Sequence, residues 1–179
     1  MVVRRVLFLM GLLVIAGCST TAHRADVTAA QPEKAQAIAV GSVTARDEQL
    51  WSSYAVILRR ALLAKLIALR GKAGVVDAAT GAVPPGAVLV DGELSELDKG
   101  NVALRWIIGF GAGRSLVVGK FRVTEPGGAT LLSFSTTKEY AGGAGIGGAD
   151  LVDIDTLVRE LGEKAAEAVD AWLRTGKLP

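Results

Sequence analysis

A chain of 179 residues that is 50% hydrophobic and 21% charged is the size of one folded domain and too apolar to stay disordered. Its net charge of +2 comes from Arg4 and Arg5 at the extreme N-terminus; the remainder balances at 18 basic and 18 acidic residues, which excludes the basic footprint of a nucleic-acid partner. A single cysteine and a single histidine exclude an internal disulfide and a histidine-rich metal site, and no cofactor is expected.

Residues 1–17 read as a signal peptide. Arg4 and Arg5 form a positive start, and Val6 to Ala16 form an apolar run too short to span a bilayer core, which takes roughly 20 helical residues. The run ends in Ile15-Ala16-Gly17-Cys18, which resembles the lipobox of bacterial lipoproteins. That resemblance implies that Cys18 takes lipid on its thiol, is cleaved to become the mature N-terminus, and gains further acyl chains. Two or more chains anchor stably where one is marginal, at about 0.8 kcal/mol per buried methylene. Ser19 follows the cysteine, where an aspartate would favour retention at the inner membrane, so the expected address is the periplasmic face of the outer membrane. Residues 18–36 are rich in Ala, Thr, Ser and charge, hold Pro32, and show no apolar period, so they read as a lipidated flexible tether with His23 in solvent.

A single domain over residues 37–176 follows. Residues 36–44 alternate as a strand around Ile38 and Val40. Asp47 caps a helix that runs to about Arg70 and stops at Gly71. Its core face carries Trp51, Tyr54, Leu58, Ala61, Leu62 and Leu69, and its wet face Ser52, Arg59, Arg60 and Arg70. Val56, Leu63 and Ile67 form a second, narrow apolar stripe beside the arginines. That stripe either lies under a neighbouring loop or contacts a partner or second subunit.

Of the 22 glycines, 17 fall between Gly71 and Gly148, which marks a turn-rich β region. A connector ends in Pro84-Pro85-Gly86. Strands are expected at Ala87 to Leu97 with a bulge at Gly92, at Val102 to Ile108, at Leu116 to Thr124, and from Leu132 to near Tyr140; Pro126-Gly127-Gly128 makes a hairpin turn. The last element is a helix with an apolar stripe from Ile154 to Trp172 and a stop at Gly176. Asp155 with Arg159, Glu160 with Lys164 and Asp170 with Arg174 read as i,i+4 pairs on its wet face. One sheet face can cover both helices, so the expected fold is an α+β two-layer sandwich, β-α-β-β-β(-β)-α, with a mostly antiparallel sheet and both helices on one face.

The stretch Gly100-Asn101-Val102-Ala103-Leu104-Arg105, then Ile108-Gly109-Phe110-Gly111-Ala112-Gly113 and the strand from Leu116, resembles the bacterial lipoproteins grouped as domain of unknown function 4410. The resemblance covers about Ile38 to Trp172. The family has no established activity, so it implies no catalytic residues.

Gly109, Gly111 and Gly113 suggest a phosphate loop only if a helix N-terminus follows, and Leu116-Val117-Val118 is strand; they read as structural glycines at a sharp bend. The glycine-rich run Ala141 to Ala149 reads as a loop, with partner binding as the other possibility. Asp91, Glu93, Glu96 and Asp98 alternate as exposed strand positions with nothing to enforce a catalytic cleft. If Trp106, Phe121 and Phe134 face the helices, Arg105, Lys120, Arg122 and Lys138 share the opposite face as a basic ladder, partly neutralised by Asp91 and Glu93. The expected function is a non-catalytic, lipid-anchored binding or assembly module of the cell envelope. Its candidate contacts are Val56, Arg59, Arg60, Leu63, Ile67, Arg105, Lys120, Arg122 and Lys138, for a protein partner or self-association. The alternatives are an oligomeric structural subunit of an envelope or secretion complex and, third, a weak envelope hydrolase.

Overall fold

The computed structural model describes residues 18–28, 37–100, 114–141 and 153–179. The leader, the strand expected at Val102 to Ile108 with Arg105, the glycines Gly109, Gly111 and Gly113, and nearly all of the Ala141 to Ala149 run lie outside the described residues.

The described chain forms strands β1 (Cys18–Thr28) and β2 (Ala37–Ala45), helix α1 (Glu48–Arg70), a short 3-10 turn (Lys72–Gly74), strands β3 (Val75–Asp77), β4 (Ala87–Asp98), β5 (Ser115–Thr124) and β6 (Thr130–Ala141), and helix α2 (Ile154–Thr175). The sheet order is β1-β6-β5-β4-β2-β3. The junctions β1–β6, β6–β5 and β5–β4 are antiparallel, while β2 runs parallel to both β4 and β3. Helix α1 packs on β2 and β4, and α2 on β5 and β6. This is an α+β two-layer sandwich with a mostly antiparallel sheet.

Both helix ends follow from local chemistry. The Asp47 carboxylate accepts the Leu50 amide at 3.0 Å and caps α1, and Gly71 ends it at a positive φ. Asp153 caps α2 and Gly176 ends it in the left-handed region. Between the layers lie Leu58, Leu62 and Leu66 from α1, Leu157, Leu161 and Trp172 from α2, and Val88, Val90, Phe121 and Phe134 from the sheet. The Phe121 and Phe134 rings stack with centroids 5.3 Å apart.

Several expectations need correction. Residues 18–28 are not a tether: they form an edge strand on β6, with Cys18 opposite Ala141 and Thr28 opposite Leu132. Backbone pairing holds this segment, so its side chains need no apolar period. In α1 the buried residue of the last turns is Leu66, whereas Leu69 is 43% exposed. The β2 pairing shifts register where Val40 to Val43 meet Val90 to Gly92, and on the side facing β5 a further irregularity in β4 falls between Leu94 and Glu96. Ser95 is the extra residue there, and its hydroxyl donates to the Val118 carbonyl at 3.2 Å. Gly92 also leaves room for the Phe121 ring, which a Cβ would meet at 3.0 Å.

Candidate functional site

The sheet face away from the helices carries the charges. Pairing places Asp91 opposite Arg122 and Glu93 opposite Lys120 between β4 and β5. On β6, Ser133 lies opposite Arg122 and Ser135 opposite Lys120. The next strand sets Arg24 opposite Ser135. The face thus runs from an acidic column through a basic column and a hydroxyl column to Arg24. Lys120, Arg122 and Arg24 are exposed. Asp91 is also held by the Ser42 amide, which donates to its Oδ1 at 2.9 Å. Directly opposed acid and base neutralise much of each other's field, so this is a mixed polar face and not a purely basic one. Arg24 belongs to it although its sequence neighbourhood reads as tether; only the pairing of β1 reveals that.

Lys138 does not belong to it. Phe134 and Lys138 are four residues apart on an uninterrupted strand, so both face the helices. Lys138 is 6% exposed, pairs with Glu160 of α2 at 2.9 Å and donates to the Thr21 hydroxyl at 3.2 Å. It fastens β1 and α2 to β6 and is not available to a partner.

The α1 stripe is also only partly free. Val56 is 47% exposed, but Leu63 and Ile67 pack half-buried against the core. Arg59 turns inward: it donates to the Gly41 carbonyl at 2.7 Å and the Val40 carbonyl at 3.0 Å, and pairs with Asp77. This clamps α1 to β2 and β3, and the Arg59 guanidinium with the Ala79 amide holds the Asp77 carboxyl below its usual range. Arg60 stays exposed beside a shallow groove of about 520 Å³ between the helices, with Ile57, Ala64, Ala68, Arg159 and Glu163. Lower on that surface Glu167 bridges Lys65 at 2.9 Å and Lys164 at 2.7 Å, and both ammonium groups keep its carboxyl ionised to lower pH.

His23 is the unforeseen titratable group. It lies half-buried on the helix side of β1, with Nδ1 3.0 Å from the Thr136 hydroxyl. Burial, and then the nearby Lys164 ammonium, lower its pKa below the ordinary 6.5, with Glu167 opposing. The unfolded chain therefore binds the proton more readily than the folded one. This contribution to stability is intact above pH 6.5 and is lost as the pH falls through that value towards the lowered one. The protection factors of the β1 amides, with the intrinsic rate at each pH divided out, should fall on moving from about pH 7.5 to about 5.5, and His23→Gln should flatten that dependence. A wild-type profile following only the intrinsic chemistry of exchange would contradict this.

Among the described residues no group of three His, Cys, Asp or Glu side chains is placed to hold a metal ion. No described helix is long and apolar enough to cross a membrane.

Among the described residues, a six-stranded sheet backed by two helices, with a mixed charged face and an N-terminal edge strand, defines a small α+β sandwich. The sequence matches the family described as Domain of unknown function (DUF4410) over residues 19–144, and the chain belongs to that family. No curated protein matches it. Among solved structures it is similar to the PelC dodecamer from Paraburkholderia phytofirmans, at 15% identity and a TM-score of 0.52, covering 82% of this chain and 94% of that one. A homolog of neuraminyllactose-binding hemagglutinin from Helicobacter pylori is a more distant match at 10% identity and a TM-score of 0.44, covering 84% of this chain and 89% of that one. The first likeness shows the shared fold.

Proposed function

We propose that this protein is a lipid-anchored envelope module that works by non-catalytic binding or assembly, moored through Cys18 at the periplasmic face of the outer membrane. The observation that carries this reading is that the Ile15-Ala16-Gly17-Cys18 signal leads into a paired strand, with Cys18 itself opposite Ala141 on β6. Cleavage there would leave the domain whole and expose only the anchor. The open face, with Arg24, Lys120 and Arg122 beside Asp91 and Glu93, supports a binding role for a partner of mixed charge. The carboxylates of that face lie opposite cations, which favours recognition over acid–base hydrolysis.

Growth on labelled palmitate tests the anchor. The wild-type protein should carry label and stay with membranes, and Cys18→Ser should lose both. Label and membrane association retained by Cys18→Ser would end the reading.

A second reading, an oligomeric structural subunit, is favoured by one observation: the PelC relative in fold is a dodecamer. Here Val56, Arg60 and the outer helix groove would meet a second copy. Native mass measurement of the detergent-solubilised protein separates the two readings. A discrete oligomer supports the subunit, and a monomer at every concentration tested excludes it.

A further inference from the structure

One pole of the sandwich gathers more than the strand ends require. Cys18 pairs with Ala141, Ser115 with Tyr140, Leu116 with Asp98, and Leu94 with Ala45, so the start of β1 and β5 and the end of β2, β4 and β6 lie together. The helices run parallel: Leu58 meets Gly162, Lys65 pairs with Glu167 and Arg70 with Asp170, numbers rising in step along both. The N-terminal turns of α1 and α2 therefore sit at this same pole.

We propose that this pole is the membrane-contact surface of the protein, with Leu50 and Trp51 entering the headgroup region of a zwitterionic bilayer. The proposal rests on Cys18 being the lipidated residue. A free tether of 19 residues would let the domain wander up to about 60 Å from its anchor. With Cys18 itself paired opposite Ala141, the anchor has no such slack, which sets the bilayer surface against this pole.

The pole has the chemistry for it. Leu50, in the first turn of α1, is 70% exposed, the most exposed large hydrophobic residue among those described. Trp51 beside it is half-buried, one side packed on the core and the other on an open polar cleft of about 640 Å³ shared with Arg46, Glu48 and Glu96. An amphipathic indole next to an exposed leucine is the pairing that settles at a bilayer interface. Among the described residues of this pole, exposed acids (Glu48, Glu96, Asp98, Asp153) outnumber exposed bases (Arg46, Lys99, Arg114). Such a surface suits a headgroup that presents an ammonium, as phosphatidylethanolamine does, and is repelled by an anionic one.

Brominated-lipid quenching tests the orientation. The acylated protein, in a Trp106→Phe background that keeps Trp51 and the fully buried Trp172, is reconstituted with phosphatidylethanolamine vesicles carrying bromine on the acyl chains. It should float with the vesicles and lose roughly half of its Trp51 emission. Trp51→Phe should abolish the quenching, Leu50→Glu should cut it at least twofold with flotation unchanged, and phosphatidylglycerol-rich vesicles should quench less. Flotation without quenching of Trp51 would overturn the membrane-facing pole and leave the anchor standing. Failure to float would overturn the anchor and the pole together.

Discussion

Gly162→Val should lower the free energy of unfolding by about 3 kcal/mol and shift the urea midpoint accordingly. At Gly162 the two helices touch through backbone. An added Cβ would meet the Leu58 carbonyl oxygen at 2.6 Å, the Ala61 Cβ at 2.9 Å and the Leu62 nitrogen at 3.1 Å. A flexible side chain could yield to such a contact, but the Leu58 carbonyl is part of the α1 hydrogen-bond ladder and moves only if the helix moves. The intrinsic preference runs the other way: in an exposed helix, replacing glycine with alanine gains about 1 kcal/mol. Gly162→Ala is therefore the sharper test of sign, because the clash must outweigh that gain. Gly162→Ala is expected to destabilise, and Gly162→Val to destabilise more. An alanine variant more stable than wild type would mean that the helices part at little cost and that their close approach is not what sets the layer spacing.

The same position shows what the sequence discloses and what it withholds. The stripe of α2 is readable because Leu157, Leu161, Ala165, Ala168 and Trp172 recur at helical spacing, and all of them are buried. Within that stripe Gly162 looks like a mere weakness of the helix, since close approach between two helices leaves no mark on either one alone. The strands β2, β4, β5 and β6 are readable from alternation and from turn residues such as Pro126-Gly127-Gly128. Strand β1 is not, because an edge strand can be held by its backbone alone and Ser, Thr, Ala and Arg are what remains when the core is complete elsewhere. With β1 taken as tether, Arg24 drops out of the open face and His23 out of the interior. Lys138 is a different case. Its parity with Phe134 was present in the sequence, but a lysine suggests solvent, and the Glu160 that makes its burial tolerable lies on another element.

Asp170 is the most consequential of these buried charges, and its environment predicts an ordered set of costs. The sequence shows only an i,i+4 pair with Arg174 on a wet face, yet its side chain is 6% exposed and binds two cations, Arg174 at 2.9 Å and Arg70 from the last turn of α1. The two arginines are not equivalent. The Arg70 side chain is 31% exposed and ties the C-terminal ends of the helices together, while Arg174 is 64% exposed and bridges within one helix. Removing Arg70 leaves a buried carboxylate with one solvated partner and frees the end of α1. Removing Arg174 mostly exchanges an exposed ion pair for water. Arg70→Ala should therefore cost about 2 kcal/mol in urea unfolding, and Arg174→Ala about 0.5 kcal/mol. Asp170→Ala should also cost about 2 kcal/mol: both arginines swing back into water, but the interhelical tie is gone. The double variant Arg70→Leu with Asp170→Leu should recover most of that loss, because an apolar pair fills the same space without desolvating charge. If Arg174→Ala instead proves as damaging as Arg70→Ala, the stability at this end comes from the C-terminal turn of α2 and not from the bond between the helices.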